Sequence, residues 1–333
     1  MLHRNSSFAA DEGGDRVDFI ILSLDRAEDT LNAIESALEQ EKVDSRVFVV
    51  DQGSKPMTKA ALKARFGDNE QVHLEFLDVN LGVAGGRNYA TRLGSAPYVI
   101  ALDNDAIFET RLMAATAVAD MKAEPELAVL AFRVKNYFND EDDWSSWCYP
   151  ASLKPMSDRQ FDATQFCGCA HAIRRQAFEN VGAYDDALFF CGEEKDVAYR
   201  LINAGWRLKY SAQLVVRHKV HPEARVHWSA GRYYYAVRNS LYSSYKFGTP
   251  LSKLTASGAA WLIKGFFNKL YASSLRGVGD AIVMCLKFRR SAPGNSIYRL
   301  SNSAREYIAQ AEARTPESLV RKVRKQFVRL RTQ

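Results

Sequence analysis

The sequence is poor in cysteine and has no long uncharged hydrophobic run, and each absence excludes a class of protein. Its 333 residues include five cysteines, too few for a disulfide-stabilised scaffold, so we expect a reducing cytoplasm. The most apolar segment, residues 256–267, is interrupted by Lys264 and is too short to span a bilayer. Residues 1–16 lack the apolar core of a signal peptide, which predicts a flexible tail.

The composition is that of a globular protein with a mild excess of positive charge. Hydrophobic residues make up 47% and charged residues 25% of the chain, as in ordinary soluble domains. The length suits one large domain with an appendage, or two domains. The net charge of +6 fits anionic substrates or an anionic membrane surface without distinguishing them, and no pattern indicates a nucleic acid partner.

Strand-like and helix-like segments alternate in the first third of the chain. The apolar runs that suit buried strands cover residues 19–24, 46–50, 73–77 and 98–102. The segments between them have helical patterns, for example Leu31, Ile34 and Leu38 on one face. This order predicts an α/β fold with a parallel sheet and right-handed crossovers.

Each of these apolar runs is followed by an aspartate, namely Asp25, Asp51, Asp78 and Asp103. Ligands of parallel sheets bind beyond the carboxyl ends of the strands, so these positions are candidates for a binding site. Asp also starts loops and caps helices. We favour that role for Asp78, and both roles stay open for Asp51, which precedes Gly-Ser.

Residues 80–105 carry the strongest chemical signal. A glycine-rich turn opens a helix there, and the next apolar strand ends in Asp103-Asn104-Asp105. Two carboxylates at a strand end suit a divalent cation, and a glycine-rich helix start suits a diphosphate. The segment therefore predicts a nucleotide-activated substrate.

An aromatic loop follows where the alternation stops, near residue 130. Residues 136–165 lack periodicity and contain Trp144, Trp147 and Tyr149, and loops of this length are often functional. These rings either stack on a sugar or fill a minor core.

Cys167, Cys169 and His171 alternate in the next segment, so they share one face if the segment is extended. The spacing is not that of a structural zinc site, and we interpret them as buried strand residues. Arg174 and Arg175 either bind phosphate or start the following helix.

A second acidic cluster lies at the start of a later predicted helix. Glu193, Glu194 and Asp196 follow the apolar residues 188–191. The helix dipole explains one or two of these acids, whereas a carboxylate at a cleft wall suits a general base acting on a hydroxyl group. Further on, His218 follows an apolar strand and is either a metal ligand or a loop residue, while we interpret His221 and His227 as solvated loop residues.

The C-terminal part is rich in apolar and basic residues. Apolar and aromatic residues are dense over residues 252–290 and are interrupted by lysines and arginines. The pattern suits helices on the inner face of a membrane, where lipid-linked acceptors reside. The alternatives are a helical subdomain packed on the preceding domain and an oligomer contact.

Five blocks, taken in order, resemble those of the family 2 glycosyltransferases. The blocks are FIILSLDR, VVDQGS, NLGVAGGRN, LDNDA and GEEKDVAYRLINAGWRLKY, and they fall within residues 17–240. The resemblance implies a GT-A fold, with a mostly parallel sheet flanked by helices and a C-terminal helical extension. It also implies an inverting, metal-dependent transferase of the rhamnosyltransferase-like kind that builds bacterial cell-surface polysaccharide.

The resemblance assigns the donor and metal sites by position. The implied donor-binding residues are Ser23, Asp25, Arg26, Asp51, Gly53, Asn80, Gly82, Gly85, Gly86, Arg87, Asp103 and Asn104. The implied ligands of a Mg or Mn ion are Asp105, Asp103 and His218.

The resemblance also places the catalytic base at Glu194. Because Glu193-Glu194 replaces the usual Glu-Asp pair, Glu193 and Asp196 remain candidates for the base. Arg238 and Asn239 match a common pair with a structural or acceptor-side role. The predicted acceptor contacts are Trp144, Trp147 and Gly168.

We predict three regions along the chain. Residues 1–16 form the tail, residues 17–240 the catalytic domain, with a donor half up to residue 107, and residues 241–333 a basic helical region. The expected partners are a nucleotide-sugar donor and a glycan or lipid-linked acceptor. Peripheral contact with the inner face of the membrane and a homo-oligomer are further candidates.

Two other functions stay open. A sugar nucleotidyltransferase also uses a nucleotide-binding sheet with an acidic metal pair, but it normally has a glycine-rich basic loop at the first strand, which residues 23–29 lack. A non-catalytic nucleotide-sugar-binding partner of a glycan assembly complex would need neither the later acids nor His218.

Overall fold

A computed structural model describes residues 15–220, 229–291, 296–312 and 330. Most of the predicted tail, the basic C-terminal segment apart from Leu330, and both His221 and His227 lie outside the described residues.

The centre of the described structure is a nine-stranded sheet. Its strands are β1 (Arg16–Ser23), β2 (Asp44–Gln52), β3 (Val72–Leu77), β4 (Tyr98–Asp103), β5 (Ala106–Phe108), β6 (Leu127–Asn136), β7 (Phe161–Asp162), β8 (Ala170–Arg174) and β9 (Arg207–His218). The strand order is β3-β2-β1-β4-β8-β6-β9-β5, and β7 pairs with β9. The four strands predicted from the first third of the sequence are confirmed.

The sheet is parallel in its first half and mixed in its second half. Strands β3, β2, β1 and β4 all run parallel, as predicted. Strand β8 is reversed relative to β4 and β6, while β9 runs parallel to β6 and β5 antiparallel to β9. The α/β fold is therefore confirmed, with antiparallel strands where the alternating sequence pattern stops.

Helices cover both faces of this sheet and form the C-terminal part. They are α1 (Ala27–Leu38), α2 (Pro56–Phe66), α3 (Gly82–Leu93), α4 (Met113–Ala123), α5 (Arg175–Asn180), α6 (Glu193–Asn203), α7 (Ala230–Lys246), α8 (Leu251–Phe267), α9 (Tyr271–Ser291) and α10 (Asn302–Glu312). The predicted face of α1 packs inward, since Ile34 is buried and Leu31 and Leu38 pack against the core.

Two arginines that were candidates for phosphate binding serve the core instead. Arg175 donates to the carboxylate of Asp18 at 2.7 Å and to the carbonyl of Ala96 at 2.6 Å, and both charged residues are buried. Arg174 donates to the carbonyl of Met121 at 2.7 Å. Buried arginines of this kind satisfy backbone carbonyls, so they tie the amino edge of the sheet together.

The C-terminal helices divide into two packing groups. Helices α7, α8 and α9 pack on one another, whereas α10 returns to the sheet domain, where Glu312 accepts hydrogen bonds from Thr164 and Tyr199 at 3.2 Å. The predicted boundary at residue 240 falls inside α7 and is corrected, because a continuous helix of 17 residues crosses it. Within the described residues, no helix combines the length and apolarity needed to cross a bilayer.

Candidate active site

The carboxyl ends of β1, β2 and β4 bring several predicted residues to one edge of the sheet. Asp51 is buried and accepts from Ser23 Oγ at 3.1 Å and from the backbone N–H of Ser54 at 3.0 Å. Asp25 accepts from the backbone N–H of Lys55 at 2.9 Å. These hydrogen bonds join the turn after β1 to the turn after β2. The buried Asp51 carboxylate therefore supports the site from within the protein.

Three further residues of this edge have different roles. Arg26 has a left-handed backbone conformation, with φ 55°, and its guanidinium pairs with Asp105. Asn104 donates to Thr30 of α1 at 3.0 Å and so holds the helix. Gly53 has φ 88° and is exposed, as the turn after β2 requires.

The glycine-rich start of α3 does not form the open phosphate cradle that the sequence suggested. The backbone N–H of Gly82 donates to Asn80 Oδ1 at 2.7 Å, and that of Val83 to the carbonyl of Phe189 at 2.6 Å. A Cβ at Gly82 would lie 2.3 Å from that carbonyl oxygen. The first amides of the helix thus bond within the protein itself, and the donor role of Asn80 and Gly82 stays a prediction.

Gly85 and Gly86 are likewise packing residues. Both are buried, and a Cβ at Gly86 would lie 2.9 Å from the side chain of Gln52. At Gly85 the nearest atom would be Leu81 Cβ, at 3.0 Å. Gly86 allows α3 to approach β2 closely, and this close approach carries Arg87 to the centre of the site.

Arg87 connects two parts of the site that are far apart in sequence. Its guanidinium donates to Asp103 Oδ1 at 2.9 Å, to Glu194 Oε1 at 2.9 Å and to the carbonyl of Gly168 at 2.6 Å. The Arg87 side chain is 4% exposed, whereas that of Asp103 is 41% exposed. A buried guanidinium with a fixed fork geometry holds both carboxylates in place.

The acidic cluster at the start of α6 separates into three environments. Glu194 is partly exposed and bound to Arg87, and burial raises the pKa of its carboxyl although Arg87 partly opposes this. Burial and the charge of Glu194 raise the pKa of Glu193 to about 8. Asp196 is fully buried between Arg200 and Lys246, with contacts of 2.7 and 2.5 Å. Since both cations fix its carboxylate, Asp196 has a structural role, and its candidacy as a base is withdrawn.

Asp103 also belongs to a group of possible metal ligands that combines a carboxylate, a thiol and an imidazole. Asp103, Cys169 and His218 each offer one atom, and the three atoms lie within 4.8 Å of one another. Asp105 Oδ1 is 3.3 Å from His218 Nε2, because Ala106 pairs with His218 between β5 and β9. The predicted ligands Asp103, Asp105 and His218 are therefore brought together.

His218 is held in a surrounding of negative charge. Its Nδ1 lies 2.9 Å from Asp143 Oδ2, on the aromatic loop. Burial alone would lower the pKa of His218, but its hydrogen bonds to Asp105 and Asp143 outweigh this and raise the pKa to about 10. The carboxylates around His218 favour a positive charge between them. Their oxygens and an imidazole nitrogen form a donor set that fits a divalent cation.

The aromatic loop contributes less than predicted to an open surface. Trp147 packs against Tyr149 and Tyr210, with ring centroids 5.0 and 5.7 Å away, and thus fills a minor core. Trp144 is 44% exposed, and Lys154 lies over its ring. A Cβ at Gly168 would lie 2.3 Å from Glu194 Oε1, so Gly168 lies directly against the Glu194 carboxylate.

Comparison with known proteins decides the family. The family model described as Glycosyl transferase family 2 matches residues 18–182. The chain belongs to glycosyltransferase family 2. This glycosyltransferase is 26% identical over 204 residues to the UDP-forming cellulose synthase catalytic subunit of Komagataeibacter sucrofermentans, covering 56% of this chain and 26% of that protein.

Other relatives agree with this placement of the glycosyltransferase. It is 36% identical over 89 residues to the succinoglycan biosynthesis protein ExoO of Rhizobium meliloti, covering 27% of this chain and 25% of that one. The chain thus spans about a quarter of the length of both curated relatives.

A solved structure confirms the GT-A fold of the glycosyltransferase. A mannosyltransferase of Pyrobaculum calidifontis, in complex with GDP-Man and Mn²⁺, superimposes with a TM-score of 0.55 at 16% identity. The match covers 90% of this chain and 84% of that chain.

Proposed function

We propose that this protein is an inverting glycosyltransferase that moves a sugar from a nucleoside-diphosphate donor to a hydroxyl group of a glycan or lipid-linked acceptor. The observation that carries the proposal is the double ion pair of Arg87, which joins Asp103 of the donor and metal side to Glu194. A protein that only bound nucleotide sugars would need no base linked to the donor side. Membership of family 2 favours sugar transfer over nucleotidyl transfer.

Glu194 is the proposed base. Arg87 occupies its Oε1, which leaves Oε2 to accept the proton of the acceptor hydroxyl. Burial raises the pKa of this carboxyl, and a base whose pKa lies closer to neutrality accepts a proton more effectively. As its proton passes to Glu194, the hydroxyl oxygen attacks the anomeric carbon opposite the leaving diphosphate, and the configuration inverts. Holding the reactants in line supplies much of the rate.

Asp103, Asp105 and His218 are the residues that would hold a Mg or Mn ion. When bound, such an ion neutralises negative charge on a leaving diphosphate. Arg26 pairs with Asp105 at the same edge and adds positive charge there. Asp143 keeps the His218 ring oriented through Nδ1, as outer carboxylates do at metal sites.

The proposed acceptor is a growing surface polysaccharide or its lipid-linked precursor. Two relatives are named for cellulose synthesis and succinoglycan biosynthesis, which supports a polysaccharide product. The acceptor would approach past Gly168, which contacts Glu194, and the exposed ring of Trp144 is the candidate for stacking on a sugar.

Helices α8 and α9 are the proposed contact with the inner face of the membrane. Apolar side chains are 47–56% exposed on them, namely Ile263, Phe266, Leu275, Ile282, Val283 and Leu286. Lys269, Arg289 and Arg290 are exposed beside them. Apolar side chains flanked by basic ones suit an anionic lipid surface.

A screen of nucleotide sugars tests the proposed activity. We expect one donor to raise Tm in the presence of Mn²⁺, and EDTA to abolish both the shift and sugar transfer to a polysaccharide acceptor. The product should have the anomeric configuration opposite to that of the donor. Retained configuration, or synthesis of a nucleotide sugar with release of pyrophosphate, would contradict the proposal. Donor binding without transfer to any acceptor would favour the non-catalytic alternative.

A further inference from the structure

Cys169 lies at the junction of the two strands that build the metal side of the site. The backbone N–H of Asp103 donates to the carbonyl of Cys169 at 2.8 Å, because β8 runs antiparallel beside β4. The Cys169 side chain is 3% exposed. Its sulfur, one carboxylate oxygen of Asp103 and one ring nitrogen of His218 form the compact group described above.

We infer that Cys169 is a metal ligand, which together with Asp103 and His218 makes a site that prefers a thiophilic divalent ion, such as Zn²⁺ or Co²⁺, to Mg²⁺. The inference rests on the metal site of the proposed function and adds a sulfur ligand to it. Thiolate and imidazole ligands favour Zn²⁺ and Co²⁺, whereas Mg²⁺ is bound through oxygen.

The distances suit one ion bound by all three residues. Zn²⁺ binds sulfur at about 2.3 Å and imidazole nitrogen at about 2.0–2.1 Å, so two ligands of one tetrahedral ion lie about 3.6 Å apart. The three atoms lie within 4.8 Å of one another. Side-chain shifts of up to about 1 Å would therefore complete the site.

The surrounding bonds orient Asp103 and His218 for an ion. Arg87 donates to Oδ1 of Asp103, and the other carboxylate oxygen remains for an ion. Asp143 engages Nδ1 of His218, so Nε2, which lies 3.3 Å from Asp105 Oδ1, would exchange that contact for the ion. Asp143 is in turn fixed by Ser145 and Ser146, whose hydroxyl groups donate to it at 2.5 Å. This is the second layer that orients a metal-binding histidine.

Charge and protons balance on binding. The thiol of Cys169 and the imidazolium of His218 each release a proton to solvent as the sulfur and ring-nitrogen lone pairs form bonds to the ion. The resulting thiolate and the Asp103 carboxylate carry two negative charges, which offset the charge of the divalent ion.

Titration of the full-length, metal-free protein with CoCl₂ tests this inference without any sugar donor. We expect a thiolate-to-cobalt absorption band in the near ultraviolet that saturates at one ion per chain, and Mg²⁺ in about 100-fold excess should not remove it. The variant Cys169→Ser should lose the band, whereas Cys285→Ser, on α9, should keep it. Asp143→Asn should weaken Co²⁺ binding by about 10- to 100-fold.

Several outcomes separate this inference from the proposed function. No band in the native protein, or a band that persists in Cys169→Ser and in Cys169→Ala, would overturn the sulfur ligand. The variant Glu194→Gln should keep the band. A Cys169-dependent band in a protein that transfers no sugar would uphold the metal site and contradict the glycosyltransferase proposal instead.

Discussion

Arg87 is the residue at which the two halves of the proposed site meet. Its buried guanidinium bridges Asp103 on β4 and Glu194 on α6 and also binds the carbonyl of Gly168. Glu194 has one methylene more than the usual Asp at its position, yet Arg87 fixes its carboxylate. This contact makes Glu194 a better candidate for the base than Glu193, which is buried with one oxygen that has no hydrogen-bond partner among the described residues.

Gly168→Ala tests how closely the base must be held. The new Cβ would lie 2.3 Å from Glu194 Oε1 and 3.2 Å from a terminal nitrogen of Arg87, so the carboxylate must move while the fold adapts. We expect transfer to fall about 100-fold with little change in Tm. Gly279→Ala on α9, where no atom of the described part of the chain lies within 4 Å of the added atom, is the control. Equal activity of both variants would show that the contact at residue 168 is unimportant.

Glu193→Gln tests the buried acid through pH. The folded-state pKa of about 8 lies above the ordinary value of 4.5. Wild type is therefore stabilised by this group at low pH and loses that stability as pH rises through the folded pKa. The neutral glutamine has no such loss, so the variant should gain roughly 3 kcal/mol in unfolding free energy relative to wild type between about pH 5 and pH 8. Denaturant unfolding at several pH values measures this, and a pH-independent difference would refute it.

Among the secondary-structure elements, helix α7 holds the segment that precedes α6. Asn239 donates to the carbonyls of Leu188, Phe190 and Cys191 at 2.7–2.8 Å. Arg238 donates to the carbonyl of Ala187 at 2.8 Å. The pair is thus structural, and through it the first C-terminal helix fixes the start of the helix that carries Glu194.

Lys246→Met tests this link between α7 and α6. The ammonium group of Lys246 lies 2.5 Å from both Asp185 and Asp196, and its side chain is fully buried. Its removal leaves the carboxylates of Asp185 and Asp196 with less compensating positive charge. We therefore expect a loss of about 3 kcal/mol in unfolding free energy. Lys253→Met, at an exposed position on α8, should change stability by less than about 0.5 kcal/mol. Similar values for the two variants would contradict the proposed role of the buried network.

The elements of the first half were predictable because local pattern and tertiary role agree there. Strands β1, β2 and β4 are apolar runs buried in a parallel sheet, and β3 is its half-buried edge strand. Period and composition reveal such strands. The reversed strand β8 was not predicted as such, because its direction depends on partners 70 residues away in β4. The packing role of the α3 glycines was not predicted, since a phosphate cradle and close helix packing require the same residue type.

The site was predictable only where a motif carried it. The block around Asp103 and Asp105 and the helix start at Glu194 matched family patterns, but Asp143 lies in an aperiodic loop and reaches His218 only through the fold. Cys169 was grouped with His171 by its spacing. In the structure His171 instead lies beside Tyr184, with 3.0 Å between Nε2 and the hydroxyl group, and Cys169 joins Asp103 and His218.

At the scale of the whole molecule, one end of the sheet carries the site and the C-terminal helices carry the exposed apolar surface. Leu275, Ile282 and Leu286 of α9 are 49–56% exposed, and their spacing puts them on one side of the helix. An exposed apolar surface beside basic residues suits contact with the anionic membrane in which a lipid-linked acceptor would reside.

Flotation with anionic liposomes tests the membrane contact. We expect the protein to float at physiological salt and the double variant Ile282→Glu, Leu286→Glu to remain in the soluble fraction, because the added charges oppose lipid contact. Met57→Glu, on α2, changes an 81% exposed side chain of the sheet domain and should float like wild type. A wild-type protein that stays soluble throughout would favour the oligomer contact or a simple helical subdomain.

The most direct test of the account is the rate of sugar transfer by Glu194→Gln with the donor found in the screen. The glutamine keeps the size of the side chain but cannot take the hydroxyl proton, so transfer should fall by about 10²–10⁴-fold while the donor-induced shift in Tm is retained. Glu193→Gln should keep most of its activity. Transfer at the wild-type rate in Glu194→Gln, with loss in Glu193→Gln, would contradict the assignment of Glu194 as the base.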